Sequence, residues 1–269
     1  MDDFFRFDGD YARTPEGWGS WQQLLMVTSF VVAMVFFAVY FGMKYRHKDE
    51  AKKLFVLKIT AIVIDVIELI RIIALVFGGG NGPEALLYYL PLFLCSFQFI
   101  SIPVAAFGKG KIREAATDFL FLFGILGAIA GTYGAGQNYG AYPVWSFHNV
   151  FSTITHTMSG FAGLYVAIVG LLTLKVKNIK WVLAILFGFA IVAYIVNIAI
   201  DYNYMFLMRG DGTPYDIFYD LVNGNRILYP LTVMFLFMLY MAAVYGTAYV
   251  IPSFRKQAFA KETVDLQSN

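Results

Sequence analysis

The chain has 269 residues, of which 59% are apolar and only 14% are charged, and its mean hydropathy is +0.64. A soluble domain of this length carries about a quarter charged residues to cover its surface, so the composition excludes an ordinary water-soluble protein. The net charge of +2 points to no partner class, and we expect no nucleic acid among the partners.

The chain has one cysteine and three histidines, and these are scattered along the sequence. A single cysteine excludes a disulfide framework within the chain and a cysteine-rich metal site. The histidines are too few and too far apart for a histidine-based metal site. The sequence therefore predicts neither a metal nor a cofactor.

The first 20 residues are predicted to form an extracytoplasmic tail rather than a cleavable signal peptide. Such a peptide needs a positively charged start, whereas this segment is acidic. Its acidic residues are Asp2, Asp3, Asp8, Asp10 and Glu16.

Seven apolar runs reach the roughly 20 residues that a bilayer core of about 30 Å requires. These predicted spans cover residues 21–43, 54–77, 85–107, 114–133, 146–174, 180–207 and 227–251. We therefore predict an all-α fold, a polytopic bundle of seven transmembrane helices over residues 21–251. A cytoplasmic tail is expected at residues 252–269.

Basic residues concentrate in alternate connections between these spans. The connections after spans 1, 3 and 5 and the C-terminal tail hold most of them, whereas Gly78–Glu84 and Tyr133–Val144 have none. Short cytoplasmic loops of membrane proteins carry an excess of Lys and Arg, so we predict an outside N-terminus and a cytoplasmic C-terminus. Trp21, Trp145 and Trp181 lie at span ends, as interfacial anchors do.

Polar and ionisable side chains inside the spans are the candidate functional residues, because burying them in lipid is costly. In span 2, Asp65, Glu68 and Arg71 share one stripe, and the last two form an i,i+3 pair. The other candidates are Cys95 in span 3, Asp118 in span 4, His148, Thr153, His156 and Ser159 in span 5, and Asn197 and Asp201 in span 6.

The predicted depths of these residues agree. Cys95 and His156 lie about ten residues, or about 15 Å, below the outer ends of spans 3 and 5. A second group lies near the outer ends of spans 2 and 6, namely Glu68, Arg71, Asn197 and Asp201. This agreement predicts one polar cavity in the outer half of the bilayer. There, His156 can act as general base for a Cys95 nucleophile.

Structural interpretations of the same residues stay open. Cys95 can be a small buried apolar residue, and Glu68 with Arg71 can be an ion pair that only holds span 2 to its neighbours. The two polar residues of span 6 can form hydrogen bonds between helices. His148 can be an interfacial anchor.

Three short motifs resemble a known family. Leu90–Ser96, LPLFLCS, resembles the LPLHLC signature on the third span of the YwaF integral-membrane family, which is related to human transmembrane protein 164. Thr155–Tyr165, THTMSGFAGLY, resembles that family's fifth-span histidine with a tyrosine nine residues later. Asp201–Leu207, DYNYMFL, is similar to the NYMFL element that closes span 6.

The resemblance implies an enzyme that moves fatty acyl chains between membrane lipids through an acyl-cysteine. Cys95 and His156 match the family's cysteine and histidine, and Asn203 and Tyr204 match its NY pair. The related androgen-induced intramembrane hydrolases use a threonine and a histidine in a similar bundle. Two features depart from the family pattern: Phe93 stands where the signature has His, and the Gly-Pro-Trp stretch before the last span reads NGNRILYP.

The predicted function is an intramembrane acyltransferase, lipid-remodelling enzyme or lipid ester hydrolase that acts on (lyso)phospholipid or glycolipid acyl chains. Cys95 is the predicted nucleophile and His156 the general base. The predicted substrate-binding or orienting residues are Glu68, Arg71, His148, Asn197, Asp201, Asn203 and Tyr204. The expected partner is a membrane lipid. The expected location is the bacterial cytoplasmic membrane, as a multi-pass protein.

Two other functions stay open. A transporter or lipid-binding receptor can use the same cavity, although the sequence has no inverted repeat or pair of Gly/Pro-broken helices, which many transporters have. A structural membrane protein would pair its intramembrane charges with the helices of another protein.

Overall fold

The computed structural model describes residues 4–7, 11, 14–78 and 83–250, and the predicted tail at 252–269 lies outside these ranges. Every regular element in them is helical, as the sequence predicts. The α-helices are α1 Trp21–Tyr45, α2 Glu50–Gly78, α3 Gln98–Phe107, α4 Gly110–Phe119, α5 Ile125–Tyr133, α6 Gly136–Ala141, α7 Phe147–Ile168, α8 Ile179–Ile200, α9 Asp216–Leu221 and α10 Leu228–Val250. A π-helical turn, Leu120–Gly124, joins α4 to α5, and 3₁₀ turns cover Pro83–Tyr89, Val176–Asn178 and Tyr204–Phe206.

Within the described ranges, four helical segments are long and apolar enough to cross a membrane. They are Trp21–Tyr45, Gly110–Ala141, Val176–Ile200 and Leu228–Val250. Their positions agree with predicted spans 1, 4, 6 and 7. The helices α2 and α7 have 29 and 22 residues, which is also enough length, but polar and charged side chains interrupt their apolar surfaces.

The third predicted span is not one continuous helix. Residues 85–107 comprise most of the 3₁₀ turn Pro83–Tyr89, an irregular stretch with turns at 90–97, and the ten-residue helix α3. Pro91 lies where the 3₁₀ turn stops, and proline has no N–H with which to continue a helix. Hydropathy predicted a single helix here because the apolar run has no gap.

Helix α7 is central to the fold and packs against α1, α2 and α5. Small residues allow the close approach, because a Cβ at Gly124 or Gly163 would collide with the backbone carbonyl of the neighbouring helix. An apolar core of α2, α3 and α7 side chains lies beside this contact. Its fully buried members include Leu57, Ile64, Ile102, Ala105, Ala162 and Val166.

A second apolar core joins α4 and the π-helical turn to α8 and α10. Its fully buried members include Phe119, Leu122, Val182, Leu186 and Val233. Tyr240 on α10 donates its hydroxyl to the Leu122 carbonyl oxygen at 2.7 Å. That carbonyl lies in the π-helical turn, where the helical hydrogen-bond pattern is locally broken.

The described part of the N-terminal segment packs onto one end of the helices. Phe7 contacts the Phe147 ring edge-on at 5.0 Å between centroids, and Tyr11 contacts Tyr142 at 6.0 Å. The Glu16 carboxylate accepts a hydrogen bond from the Val144 N–H at 2.8 Å. The end covered in this way comprises the start of α7 and the segment before it.

A buried carboxylate binds the segment that follows the other end of α7. Asp118, at the end of α4, accepts hydrogen bonds from the Thr173 hydroxyl at 2.9 Å, the Leu174 N–H at 2.9 Å and the Asn178 amide at 3.1 Å. Lys175 bonds Glu114, one turn earlier on α4, at 3.0 Å. We call Glu114, Asp118, Thr173, Lys175 and Asn178 the aspartate cluster. It attaches the α7–α8 connection to α4.

Candidate functional site

A polar cavity lies between α2, the segment just before and into α3, and α7. Counting its open mouth, the cavity holds about 260 Å³ of empty space. Its lining comprises Glu68, Arg71, Cys95, Ser96, Phe99, Ser152, Thr155, His156 and Ser159. Three separate elements therefore supply the only thiol of the chain, an imidazole, an ion pair and several hydroxyl groups to one space.

Cys95 lies in the turns that precede α3, not within a helix. The Phe97 N–H donates to the Phe93 carbonyl at 3.0 Å, and the Gln98 N–H donates to the Cys95 carbonyl at 3.2 Å. Cys95 therefore lies within two overlapping backbone turns. Ser96, the next residue, also lines the cavity, and α3 begins at Gln98. A position just ahead of a helix N-terminus favours a negative charge.

His156 projects from α7 with one ring nitrogen already committed. Its Nδ1 lies 2.7 Å from the Ser152 carbonyl oxygen, one turn earlier on the helix. A proton on Nδ1 donates to that carbonyl, which leaves Nε2 as the acceptor on the other side of the ring. Cys95 and this imidazole line the same cavity. The helix that carries the imidazole thus also fixes the orientation of its ring.

Two glycines of α5 make room for the thiol and the imidazole. A Cβ added at Gly131 would overlap Cδ2 and Nε2 of His156, and one added at Gly127 would lie 3.4 Å from the Cβ of Cys95. The two glycines are four residues apart and therefore share one face of the helix. Sequence reasoning missed them as site residues, although a small-xxx-small spacing in an apolar helix signals close helix contact.

Glu68 and Arg71 form a bidentate ion pair on the cavity wall. Arg71 Nε lies 2.8 Å from Glu68 Oε2, and its second bond to Glu68 Oε1 is 2.6 Å long. The side chains are only 9% and 14% exposed for Glu68 and Arg71. Asp65, one turn earlier on the same predicted stripe, does not line the cavity.

The other predicted residues of span 6 are not in the cavity. Asn197 donates from its amide to the Tyr204 carbonyl at 2.9 Å and accepts from the Tyr204 N–H at 2.6 Å. Asp201 is exposed and ends α8 in a left-handed conformation with φ of 51°. The predicted single cavity for all the polar residues is therefore wrong for Asn197 and Asp201, because the chain turns back at the end of α8 and engages Asn197 locally.

The Asn203–Tyr204 pair supports the segment that carries Cys95. The Asn203 amide donates to the Arg209 carbonyl and to the Asp211 carboxylate, both at 2.7 Å, and so organises its own loop. Tyr204 is fully buried and donates its hydroxyl to the Leu87 carbonyl in the 3₁₀ turn. Phe93, which replaces the family's histidine, packs edge-on against the Tyr204 ring at 5.1 Å. Phe93 and Tyr204 thus pack against each other outside the cavity lining.

His148 and Thr153 are on α7 but outside the cavity lining. His148 stacks on the Tyr142 ring with centroids 4.3 Å apart. Thr153 donates to the Asn149 carbonyl at 2.7 Å and lies 3.3 Å from the Tyr139 hydroxyl, so it faces α6. Of the predicted polar face of span 5, His156 and Ser159 line the cavity and Thr153 does not; Ser152 and Thr155 line it as well.

Among the described residues, no group of three or more His, Cys, Asp or Glu side chains is arranged to hold a metal ion. The chemistry available in the cavity is that of a thiol, an imidazole, a carboxylate–guanidinium pair and hydroxyl groups.

Comparison with known proteins places the chain in a family. No curated protein and no solved structure matches it. The model of the TMEM164 family matches residues 18–251, which include all the helices described above. This match confirms the family resemblance that the three motifs indicate. The chain is a member of the TMEM164 family.

Proposed function

We propose that this protein is an intramembrane acyltransferase or lipid-remodelling enzyme that acts on the acyl chains of (lyso)phospholipids or glycolipids. One observation carries the proposal: Cys95 and His156, which come from separate elements of the fold, line the same cavity. The bond from His156 Nδ1 to the Ser152 carbonyl supports it, because that bond presents Nε2 as the base.

In the first half-reaction, His156 Nε2 takes the proton from the Cys95 sulfur, and the thiolate attacks the carbonyl carbon of a lipid ester. The carbonyl oxygen becomes an oxyanion, which hydroxyl donors on the cavity wall stabilise. When the C–O ester bond breaks, the leaving oxygen takes the proton from Nε2. The products are an acyl-cysteine thioester and a lipid with a free hydroxyl group.

In the second half-reaction, the hydroxyl group of an acceptor lipid gives its proton to Nε2 and attacks the thioester carbon. The C–S bond breaks, the new ester forms, and the thiolate recovers the proton from His156. Water in place of the acceptor gives hydrolysis by the same steps. No redox partner is required.

The test is acyl exchange onto a labelled lysophospholipid by purified wild type and by Cys95→Ala and His156→Ala variants. Both variants should lose at least about 10²-fold in rate, since a general base alone contributes about 10²–10⁴. Intact-protein mass spectrometry should find an acyl adduct in wild type and none in Cys95→Ala. His47→Ala, an exposed histidine between α1 and α2, is the matched control. Full activity in both site variants contradicts the proposal.

The proposal includes seven spans with an outside N-terminus and a cytoplasmic C-terminus, in a bacterial cytoplasmic membrane. The basic connections support this orientation. On a Cys95→Ala background, an impermeant maleimide added to intact cells should label Gln137→Cys and leave Lys111→Cys unlabelled. Both positions are exposed. The opposite labelling would reverse the orientation.

A transporter is the second candidate, and the interrupted third span favours it. Irregular backbone beside a polar cavity at membrane depth is a feature of transporter substrate sites. Substrate-dependent proton flux in liposomes that persists in Cys95→Ala would support transport over acyl transfer.

A further inference from the structure

A second group of polar and aromatic side chains adjoins the cavity at the end of α2. Arg71 Cζ lies 5.8 Å from the centroid of the Tyr89 ring, and His148 stacks on Tyr142 at 4.3 Å. Tyr89 is near enough to both Arg71 and Tyr142 to interact with them electrostatically, so the two pairs lie in the same part of the molecule. We call Arg71, Tyr89, Tyr142 and His148 the histidine–arginine cluster. Four different elements or connections meet in it.

This cluster has hydrogen-bonding capacity that the protein does not use. Arg71 spends two of its five N–H groups on Glu68, and the other three have no acceptor in the part of the chain that the structure describes. His148 is 8% exposed, and its buried Nδ1 has no partner among the described residues. A buried polar group without a partner is unfavourable, so a ligand that forms a hydrogen bond with Nδ1 of His148 gains binding free energy from that contact.

The chemistry of the cluster selects an oxyanion. A guanidinium fork pairs with the two oxygens of a phosphate or carboxylate, and an imidazole N–H can donate to a third oxygen. Glu68 already neutralises Arg71 and repels a second negative charge nearby. The cluster therefore suits a singly charged phosphodiester better than a doubly charged phosphomonoester.

Arg71 connects this cluster to the reacting pair. It lines the cavity with Cys95 and His156, and it interacts electrostatically with both His156 and His148. In a glycerophospholipid, a few covalent bonds separate the phosphate from the acyl ester. A phosphate held at Arg71 therefore leaves the ester within the neighbouring cavity.

We infer that the histidine–arginine cluster binds a phosphate oxyanion and is the headgroup subsite for a phospholipid substrate. This inference rests on the proposed function for its role, but binding can be measured without turnover. It makes His148 a binding residue for the phosphate, and it assigns the ion pair of Glu68 and Arg71 to charge selection rather than to packing alone.

The experiment is native mass spectrometry of the purified full chain in detergent, with three probes. The probes are a lysophosphatidylethanolamine, a monoacylglycerol with the same acyl chain, and inorganic phosphate. Wild type should bind the lysophospholipid at least about tenfold more tightly than the monoacylglycerol. His148→Phe keeps the stack on Tyr142 and should lose most of that preference, and Arg71→Lys, which loses the fork, should lose it too. His47→Phe is the matched control and should keep it.

Each outcome decides the inference. Equal binding of both lipids by wild type with no phosphate adduct overturns it, and so does an unchanged preference in both site variants. A phosphate adduct that disappears in Arg71→Lys, without any lipid preference, keeps the anion site and assigns it to free phosphate. Acylation of Cys95 by a short phosphate-free ester is measured in parallel. That reaction tests the proposed function alone, so the two failures are distinguishable.

Discussion

Two polar clusters lie among the apolar helices of this protein, and they differ in how completely their hydrogen bonds are closed. In the aspartate cluster, the Asp118 carboxylate accepts from the Thr173 hydroxyl, the backbone N–H groups of Thr173 and Leu174, and the Asn178 amide. In the cavity, Arg71 pairs with Glu68 and keeps three N–H groups without a protein acceptor in the described part of the chain.

The difference separates stabilising groups from groups available to a ligand. A buried carboxylate whose partners are all supplied by the protein holds two segments together, and it has little capacity left for another molecule. An ion pair that faces a cavity with spare donors is only partly satisfied, and such groups are expected where a substrate binds. From sequence alone, both Asp118 and Arg71 were candidates as ionisable residues in apolar runs, although only Arg71 was assigned to the predicted site.

The largest expected effect is on the closed cluster. Asp118→Ala removes the acceptor for four donors, so we expect it to lower the free energy of unfolding by about 3–5 kcal/mol. At about 2–4 °C per kcal/mol, the unfolding midpoint in mild detergent should fall by about 10 °C. Acyl exchange per folded molecule should stay near wild type, because Asp118 is not in the cavity lining.

Asp49→Asn is the matched control for this variant. Asp49 directly precedes α2 and pairs with Lys52 at 3.1 Å, and both side chains are exposed. Asparagine removes the charge and keeps a capping oxygen, so the midpoint should change little. If Asp118→Ala abolished exchange in protein that remained folded, the aspartate cluster would have to be part of the site. Its role would then not be purely structural.

The second expected effect is on the cavity and is kinetic. Gly131→Ala puts a methyl group where Cδ2 and Nε2 of His156 lie, so the imidazole must turn away from Cys95. A displacement of about 1 Å at a reacting group can cost about 10²-fold in rate, and we expect a loss of that size in acyl exchange. The unfolding midpoint should change little, because a side-chain rotation relieves the overlap.

Gly188→Ala is the control for the same substitution in an apolar helix. A Cβ at Gly188 has no atom within 4 Å, so this variant should exchange acyl chains at the wild-type rate. Wild-type exchange by Gly131→Ala as well would mean that the orientation of His156 does not limit the reaction. The base would then have to be assigned elsewhere.

Much of the helical framework could be predicted because length and hydropathy decide it. The segment Trp21–Tyr45 is a long apolar run with a serine cap, where Ser20 accepts from the Gln23 N–H at 3.3 Å, and its bounds follow from the sequence almost directly. The break in the third span could not be predicted in the same way. Pro91 interrupts hydrogen bonding without lowering hydropathy, so a hydropathy pattern does not register it.

The hydrogen-bond partners of the polar residues were harder to predict from the sequence than the helices. Asn197 is one turn before Asp201, which suggested a shared face, but its side chain pairs with the Tyr204 backbone in the loop that follows α8. That loop depends on positive φ at Met205 and Phe206, and no residue pattern signals this conformation. Gly131 was different, since its spacing from Gly127 carried a readable signal of close packing.

The smallest expected effect concerns Tyr165, the tyrosine nine residues after His156 that matches the family motif. Tyr165 is fully buried near the end of α7, and its hydroxyl donates to the Lys53 carbonyl of α2 at 2.9 Å. Tyr165→Phe keeps the ring and removes one hydrogen bond, so we expect a loss of about 1 kcal/mol and a fall of about 2–4 °C in the unfolding midpoint. Acyl exchange per folded molecule should be unchanged, and the exposed Tyr40→Phe should alter neither quantity. A slower exchange rate with an unchanged midpoint in Tyr165→Phe would mean that Tyr165 has a functional role and not only a structural one. Because Tyr165 follows His156 by nine residues on α7, its effect on the reaction would then have to be transmitted through that helix.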